Sequence, residues 1–587
     1  MKKFFSTIQD IWQSLPPRQK VCWNALFSLL WFLPFFAVVA ISQWPYRELP
    51  FYNDSLGYGI VNTEWMISNH SIFHPAEHDP GHAPLMFWAL AIAWGSLGKT
   101  VFVAHLVMWV FGAIFLAGVY RFCMLLFNEN RFYSVVCMLA CYGLPQVYTN
   151  VFALTPDLPM VGFLFWMLDG FYRKKRLQYM VSLFLFTFTK ANSYSILIIF
   201  GSIHFIVIPL IAVVQFYARP QVLKYLFRNW LIWTNASVLA GVPVLIWVLA
   251  SRIHQGFWFQ SPIFKVSSTY HFTWENLSQS FSTFVYWSLW MGQGNRGAAA
   301  LVCLVAVVLL VVWGARRFIF RKSVGLVPPL QHAQSPKGLC CVYSRWSVLP
   351  PVFILAFLMM VVVAAGEMRL ERYFLTTILV FVITCFAVIY EFGMRIRSEV
   401  QALVKPPFGS LFFSVGAVLI CFLIVFNSVV RYDNRWPWRI PYLPQSFRMF
   451  ISNYGDFAYE MNRQYVPFLM IKKKAIQDVE AAYKKNPDLR IVTNYPMNQA
   501  LAFRSAGYLA ELESIPTRSA SNITELFADD LDLVIHAKSM YAGTNGLSLE
   551  TLKQIDGLEL YKEYIDDDVW KTTITIFRRK NSGVEVP

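Results

Sequence analysis

The chain has 587 residues, of which 56% are hydrophobic, 17% aromatic and only 14% charged, against roughly 25% charged for a soluble chain. That balance excludes an ordinary soluble enzyme, and because the deficit falls in long uncharged runs the sequence reads as a polytopic α-helical membrane protein. The net charge of +16 does not call for nucleic acid: acids and bases balance from Arg431 to Pro587, so the whole excess lies in residues 1–430, where basic cytoplasmic loops account for it.

Lys2, Lys3, Arg18 and Lys20 precede the first apolar run, which has no small-residue cleavage site. An uncleaved helix over 21–42 that starts in the cytoplasm is predicted. Loop 43–84 then lies outside. Segment 84–98, PLMFWALAIAWGSLG, is short for a crossing and is predicted to be an interfacial or half-inserted helix ended by the Gly98-Lys99-Thr100 turn. Helices over 99–127, 132–150, 158–172, 178–195, 197–217 and 229–250 alternate after it. They leave Arg121, Arg131, the cluster Arg173, Lys174, Lys175 and Arg176, and then Arg219, Lys224 and Arg228 inside. An outer loop with Trp258 follows. Helices over 297–315, 346–365, 373–391 and 408–430 bring the total to about 11 spans, with the tail outside.

Residues 431–470, rich in Arg, Trp and Pro, are predicted to run along the membrane surface. Residues 471–587 read as a small soluble α/β domain. Its amphipathic helix is IKKKAIQDVEAAYKK and its second helix MNQALAFRSAGYL; its strands are LRIVTNYP, LDLVIHA and VWKTTITIFRRK. All nine cysteines precede residue 431, and neither loop 43–84 nor the tail holds one. The outer segments therefore have no disulfide framework.

The stretch from Tyr52 to Pro84 concentrates chemistry: Asp54, Glu64, Glu77 and Asp79 stand among His70, His74, His78 and His82. It is too polar for hydrocarbon and too aromatic for a plain linker. Histidines every four residues would line one face of a helix and suggest a metal, but Pro75 and Pro80 break any such helix. A divalent metal at His74, His78 and Asp79 stays an alternative, not the main reading. Asp157 opens a helix after Thr155-Pro156, where it either caps the helix or serves a site. Lys190 lies in an apolar run. A lysine at the centre of a bilayer costs about 2.5–3.5 kcal/mol, so it either snorkels to the surface or has an anion to hold.

In chain order, Asp54 with Tyr58 four residues on, GHAPLMFW, TPDLPM with Asp157, FTKAN with Lys190, and ERYFLTTI with Arg372 and Tyr373 form a set. The set resembles the motifs of GT-C fold membrane glycosyltransferases, in the branch of lipid A 4-amino-4-deoxyarabinose transferase and the protein O-mannosyltransferases. The likeness covers roughly residues 20–430. It implies a GT-C-like transmembrane domain over 1–430, a connector over 431–470 and a soluble outer domain over 471–587. It also implies inverting transfer of a sugar from a polyprenyl-phosphate donor to a lipid, glycan or protein acceptor on the outer face. Asp54 would be the base, with Asp157 as a second catalytic residue that orients the acceptor or ligates a metal. Lys190, Arg372 and His82 would hold the donor phosphate, and Tyr58, Tyr373 and Trp258 the substrate. His82 stands where the family carries a lysine, a departure that bears on its phosphate contact. No cofactor is required, a divalent metal being the alternative already named. Cysteine-free, compact outer loops fit a bacterial inner membrane, N-terminus cytoplasmic and tail periplasmic. The rivals are a polysaccharide ligase or polymerase of another membrane fold, which would lack an acid directly after the first helix, and a transporter, which predicts paired broken helices in two halves.

Overall fold

Helix α1 (Pro17–Gln43) carries one long apolar stretch, interrupted only by Pro34, into a short 3-10 turn at Trp44–Tyr46. The computed structural model describes residues 17–51, 55–73, 83–190, 192–216, 220–256, 375–400, 465–493, 497–519, 531–537, 549–565 and 573–580, with isolated positions between them. After a π-helical turn at Ser55–Ile60 come α2 (Val61–Ser68), α3 (Leu85–Leu97), α4 (Val101–Leu126), α5 (Arg131–Tyr142) and α6 (Pro145–Asn150). Then follow α7 (Asp157–Tyr172), α8 (Arg176–Thr187), α9 (Asn192–Gly201), α10 (Ile208–Phe216), α11 (Pro220–Gln255) and α12 (Leu375–Val400).

The protein is a helical membrane protein. Five described segments are long and apolar enough to cross a bilayer: Ser28–Tyr46, Val101–Leu126, Ser193–Val214, Pro220–His254 and Leu375–Met394. Their surroundings differ. Helix α11 exposes Val238, Leu239, Leu245, Ile246 and Ile253, a continuous apolar face that hydrocarbon, not water, would cover. Helices α4 and α12 are instead mostly buried and form the centre. Helix α7 is packed between α4 and α8. A Cβ on Gly162 would lie only 3.1 Å from Phe115 Cα, so a small residue there lets two backbones approach, the usual device for helix contact in lipid.

The structure corrects several predicted boundaries. The helix expected over 132–150 is two, α5 and α6, because Pro145 holds Leu144 in extended backbone. The helix expected over 178–195 stops at Thr187, and α9 begins at Asn192. The segment expected as one helix over 197–217 is indeed continuous helix to Phe216, with a π-helical turn at Ser202–Val207 between α9 and α10. The short helix α3 ends at Gly98, whose φ of +95° stops it, and the Thr100 side chain accepts a hydrogen bond from Val103 N to start α4. The helices predicted over 297–315, 346–365 and 408–430 and the loop around Trp258 lie outside the described residues, apart from isolated positions, as does the predicted connector up to residue 464; its last six residues are helical instead.

Towards the C-terminus, α13 (Tyr465–Lys485), β1 (Ile491–Thr493), α14 (Met497–Ala502), β2 (Thr517–Ser519), β3 (Leu533–Ala537), α15 (Leu549–Lys553), β4 (Leu558–Ile565) and β5 (Thr573–Arg579) surround one mixed sheet. Its order is β2-β1-β3-β5-β4. Strand β1 pairs parallel with β2 and β3, while β5 pairs antiparallel with β3 and β4. The apolar face of α13, with Ala475, Ile476 and Val479, is buried. The Glu480 carboxylate on that helix accepts the backbone N–H groups of Ala510, Glu511 and Leu512 at 2.8, 2.8 and 2.6 Å, which fixes the turn after α14.

One residue on this face breaks the pattern. Lys472 is fully buried, its ammonium 4.7 Å from the centre of the Tyr508 ring. Burial pushes its pKa well below 10.5. The folded chain therefore binds this proton less tightly than the unfolded chain. The resulting loss of stability is complete below the folded pKa and shrinks as pH rises towards the unfolded value. Lys472→Met is expected to stabilise the protein at neutral pH, because the buried ammonium no longer has to be desolvated. The gain over wild type should diminish as pH is raised. Thermal unfolding of the full chain at stepped pH checks this; a gain that stays constant with pH would contradict it.

Candidate active site

Asp157 and Lys190 come from opposite ends of two antiparallel neighbours. Asp157 is the first residue of α7, and Pro156 occupies the capping position before it. Lys190 lies in the link between α8 and α9. The hydroxyls around it supply hydrogen bonds at that break: Thr187 Oγ1 donates to Leu183 O at 3.0 Å and Thr189 Oγ1 to Phe186 O at 2.6 Å, while the backbone of Ser193 donates to Lys190 O at 3.0 Å. The break turns the lysine inward. Its ammonium donates to Asp157 Oδ1 at 2.6 Å, and both side chains are buried, 3% and 4% exposed. Lys190 thus does not snorkel, and its charge is matched inside the protein.

Two further contacts bring the neighbours of other predicted residues to this place. Leu85 N, at the start of α3, donates to Phe188 O at 3.2 Å, which joins the chain following His82 to the chain preceding Lys190. Gly59 of the π-helical turn packs so close to Leu154 that a Cβ there would lie 2.8 Å from Leu154 Cδ2 and 3.3 Å from its carbonyl oxygen. The turn following Asp54 therefore lies against the chain leading to Asp157. An aromatic group closes the same region. Trp88 meets Phe188 at 5.2 Å and Trp247 at 5.4 Å, and Phe73 stacks on Trp247 at 4.7 Å.

Among the predicted site residues, the structure joins Asp157 to Lys190. Asp54, His82, Arg372, Tyr373, Trp258, His74, His78 and Asp79 lie outside the described residues, and Tyr58 is described by its backbone within the π-helical turn. Among the described residues no group of three or more His, Cys, Asp or Glu is arranged to hold a metal.

A second polar centre was not legible in the sequence. Glu64 of α2 accepts Lys99 Nζ at 2.7 Å on one oxygen and Ser505 Oγ at 2.6 Å on the other. The last of these partners is 441 residues away in the chain. Loop 43–73 and the C-terminal sheet with its helices are therefore on one side of the helical bundle. At the other end of α7, the fully buried Asp169 accepts Arg121 Nε at 2.9 Å, Arg173 Nε at 2.5 Å and Gln178 Nε2 at 2.8 Å. Asp157 and Asp169 are about 18 Å apart along the helix at 1.5 Å per residue. The basic cluster and the Asp157–Lys190 pair thus occupy opposite ends.

Solved structures similar to this chain include two of one protein. One is ArnT from Cupriavidus metallidurans bound to undecaprenyl phosphate, with 11% identity and a TM-score of 0.45, covering 93% of this chain and 98% of that one. The other is the same ArnT in the apo state, with 11% identity and a TM-score of 0.46, covering 94% and 98%. No family model matches the chain, and no curated protein does.

Proposed function

We propose that the protein is an inverting membrane glycosyltransferase that moves a sugar from a polyprenyl-phosphate donor to a lipid, glycan or protein acceptor on the outer face of a bacterial inner membrane. The observation that carries this reading is the buried Asp157–Lys190 pair, set where the chain after Asp54 and the chain after His82 also come together. In this reading residues 1–430 are the catalytic transmembrane part, 431–470 a connector and 471–587 a periplasmic domain, with the N-terminus cytoplasmic.

Asp54 takes the proton from the acceptor hydroxyl as that oxygen attacks the anomeric carbon. The bond from that carbon to the phosphate oxygen breaks, and its electron pair leaves with the polyprenyl phosphate. A single displacement inverts the configuration. Lys190, with Arg372 and His82, meets the negative charge on the departing phosphate. Asp157 holds the lysine ammonium in place inside a low-dielectric site, where an unmatched cation would be costly. Tyr58, Tyr373 and Trp258 contact substrate.

Transfer of labelled sugar from polyprenyl phosphate by the purified protein tests the proposal, wild type beside Asp54→Asn. Wild type should transfer and the variant should lose at least about 100-fold in kcat. Full turnover in the variant would remove Asp54 as base. Absence of transfer from every polyprenyl-phosphate sugar would overturn the reading.

A further inference from the structure

A single turn near the C-terminus grips both sides of the segment that bears Asp54. The turn is a 3-10 turn at Arg504–Ala506, closed by Gly507 in the left-handed region at φ +88°. Ala506 O accepts Phe51 N at 3.0 Å, immediately ahead of residues 52–54. The adjacent Ser505 Oγ donates to Glu64 Oε1 at 2.6 Å, on the helix that follows. The π-helical turn at Ser55–Ile60 runs straight into α2, so the grip on Glu64 is a grip on the whole helical stretch behind Asp54. Gly507 completes the fit. A Cβ there would lie 2.6 Å from Val101 Cγ2 and 3.0 Å from Pro50 Cα, so no larger residue fits and its backbone conformation favours glycine besides. Lys473 Nζ adds a bond to Glu48 O at 3.4 Å.

We infer that the Ser505–Gly507 turn is a staple that sets the position of the outer loop, and that Ser505 and Gly507 are positioning residues for the reaction proposed above. Two anchor points made by consecutive residues fix both ends of the loop between Phe51 and Glu64. The C-terminal part is then a component of the site's geometry and not an appended module. A displacement of about 1 Å at a reacting group can cost on the order of 100-fold in rate, so a staple some residues away has leverage on turnover.

The test compares full-length wild type with Ser505→Ala and Gly507→Val, and uses Glu559→Gln as a control. Glu559 lies on β4, at the edge of the sheet opposite β2, where its carboxylate accepts Arg578 Nε of β5. Hydrogen–deuterium exchange over 55–64 should quicken about tenfold in Ser505→Ala, the size expected for losing one buried charge-assisted bond, and at least as much in Gly507→Val, where a side chain has no room. It should stay at the wild-type rate in Glu559→Gln. In the transfer assay the staple variants should lose roughly 10- to 100-fold in kcat with KM for the donor within about twofold. Unchanged exchange over 55–64 in Ser505→Ala and Gly507→Val overturns the inference, as does equal quickening in the control. Because exchange needs no substrate, it decides the staple even if the wild type transfers no sugar; a loss of kcat without faster exchange would sink the staple and leave the proposed reaction standing.

Discussion

Lys190→Met should abolish sugar transfer and also destabilise the protein, whereas Lys190→Met combined with Asp157→Leu should restore stability and leave transfer abolished. The pair is a buried one: Nζ and Oδ1 are 2.6 Å apart with both side chains 3–4% exposed. Removing one partner of such a pair takes from the other buried charge the ion that faces it, at a cost of about 3–5 kcal/mol, while replacing both by apolar groups is often neutral or better. Stability alone therefore follows a reciprocal pattern, in which each single change harms and the double change repairs. A phosphate-binding role does not follow that pattern. If the ammonium meets the leaving group, no apolar replacement supplies its charge, and the double variant stays at least about 100-fold down in kcat. Thermal unfolding in detergent and the labelled-sugar assay, run on the same preparations, separate the two roles. Recovery of transfer in the double variant would make Lys190 a structural residue only.

Legibility in the sequence followed the reach of each signal. The apolar runs showed the membrane character, because hydrocarbon thickness demands length and lack of charge and both are local properties. Helix α3 was readable as short, with Gly98 and Thr100 marking its end and the next start. The break that places Lys190 has no local signal in the sequence. Thr187, Thr189 and Ser193 can bond their own helix or replace its missing bonds, and an apolar run looks the same in either case. The break at Pro145 did have a signal, the restriction a proline places on the residue before it, and the expectation of one helix over 132–150 passed over it. In the C-terminal part the apolar β1, β3 and β5 were readable. Strands β2 and β4 were not, because Thr517–Ser519 has no apolar alternation and β4 carries Glu559, Lys562 and Glu563. The site was least legible where it depends on distant partners. Glu64 stood out as an acid in a crowded loop, but nothing near it in the chain points to Ser505.

Asp169→Asn is expected to destabilise the protein by about 3–5 kcal/mol while leaving kcat per folded molecule within about twofold of wild type. Its carboxylate is wholly buried and is the meeting point of three elements: Arg121 of α4, Arg173 at the end of α7 and Gln178 of α8. Arg121 also lies 5.1 Å over Trp166 and 5.8 Å over Trp31 of α1, so the same charge ties in the first helix. Asparagine keeps the shape but removes the negative charge that two guanidinium groups face. Both arginines are about one-fifth exposed, 23% and 21%, so rehydration recovers part of the loss and the lower end of the range is the safer expectation. The site chemistry lies at the other end of α7, about 18 Å along the helix axis. This contrast gives the two buried carboxylates of α7 separate roles: changing Asp157 or its lysine should cost both stability and turnover, and changing Asp169 should cost stability alone. Thermal unfolding, with transfer rates normalised to the folded fraction, reads both quantities. A stability loss below about 1 kcal/mol, smaller than one buried charged hydrogen bond contributes, would mean that the arginines hold the helices together without it.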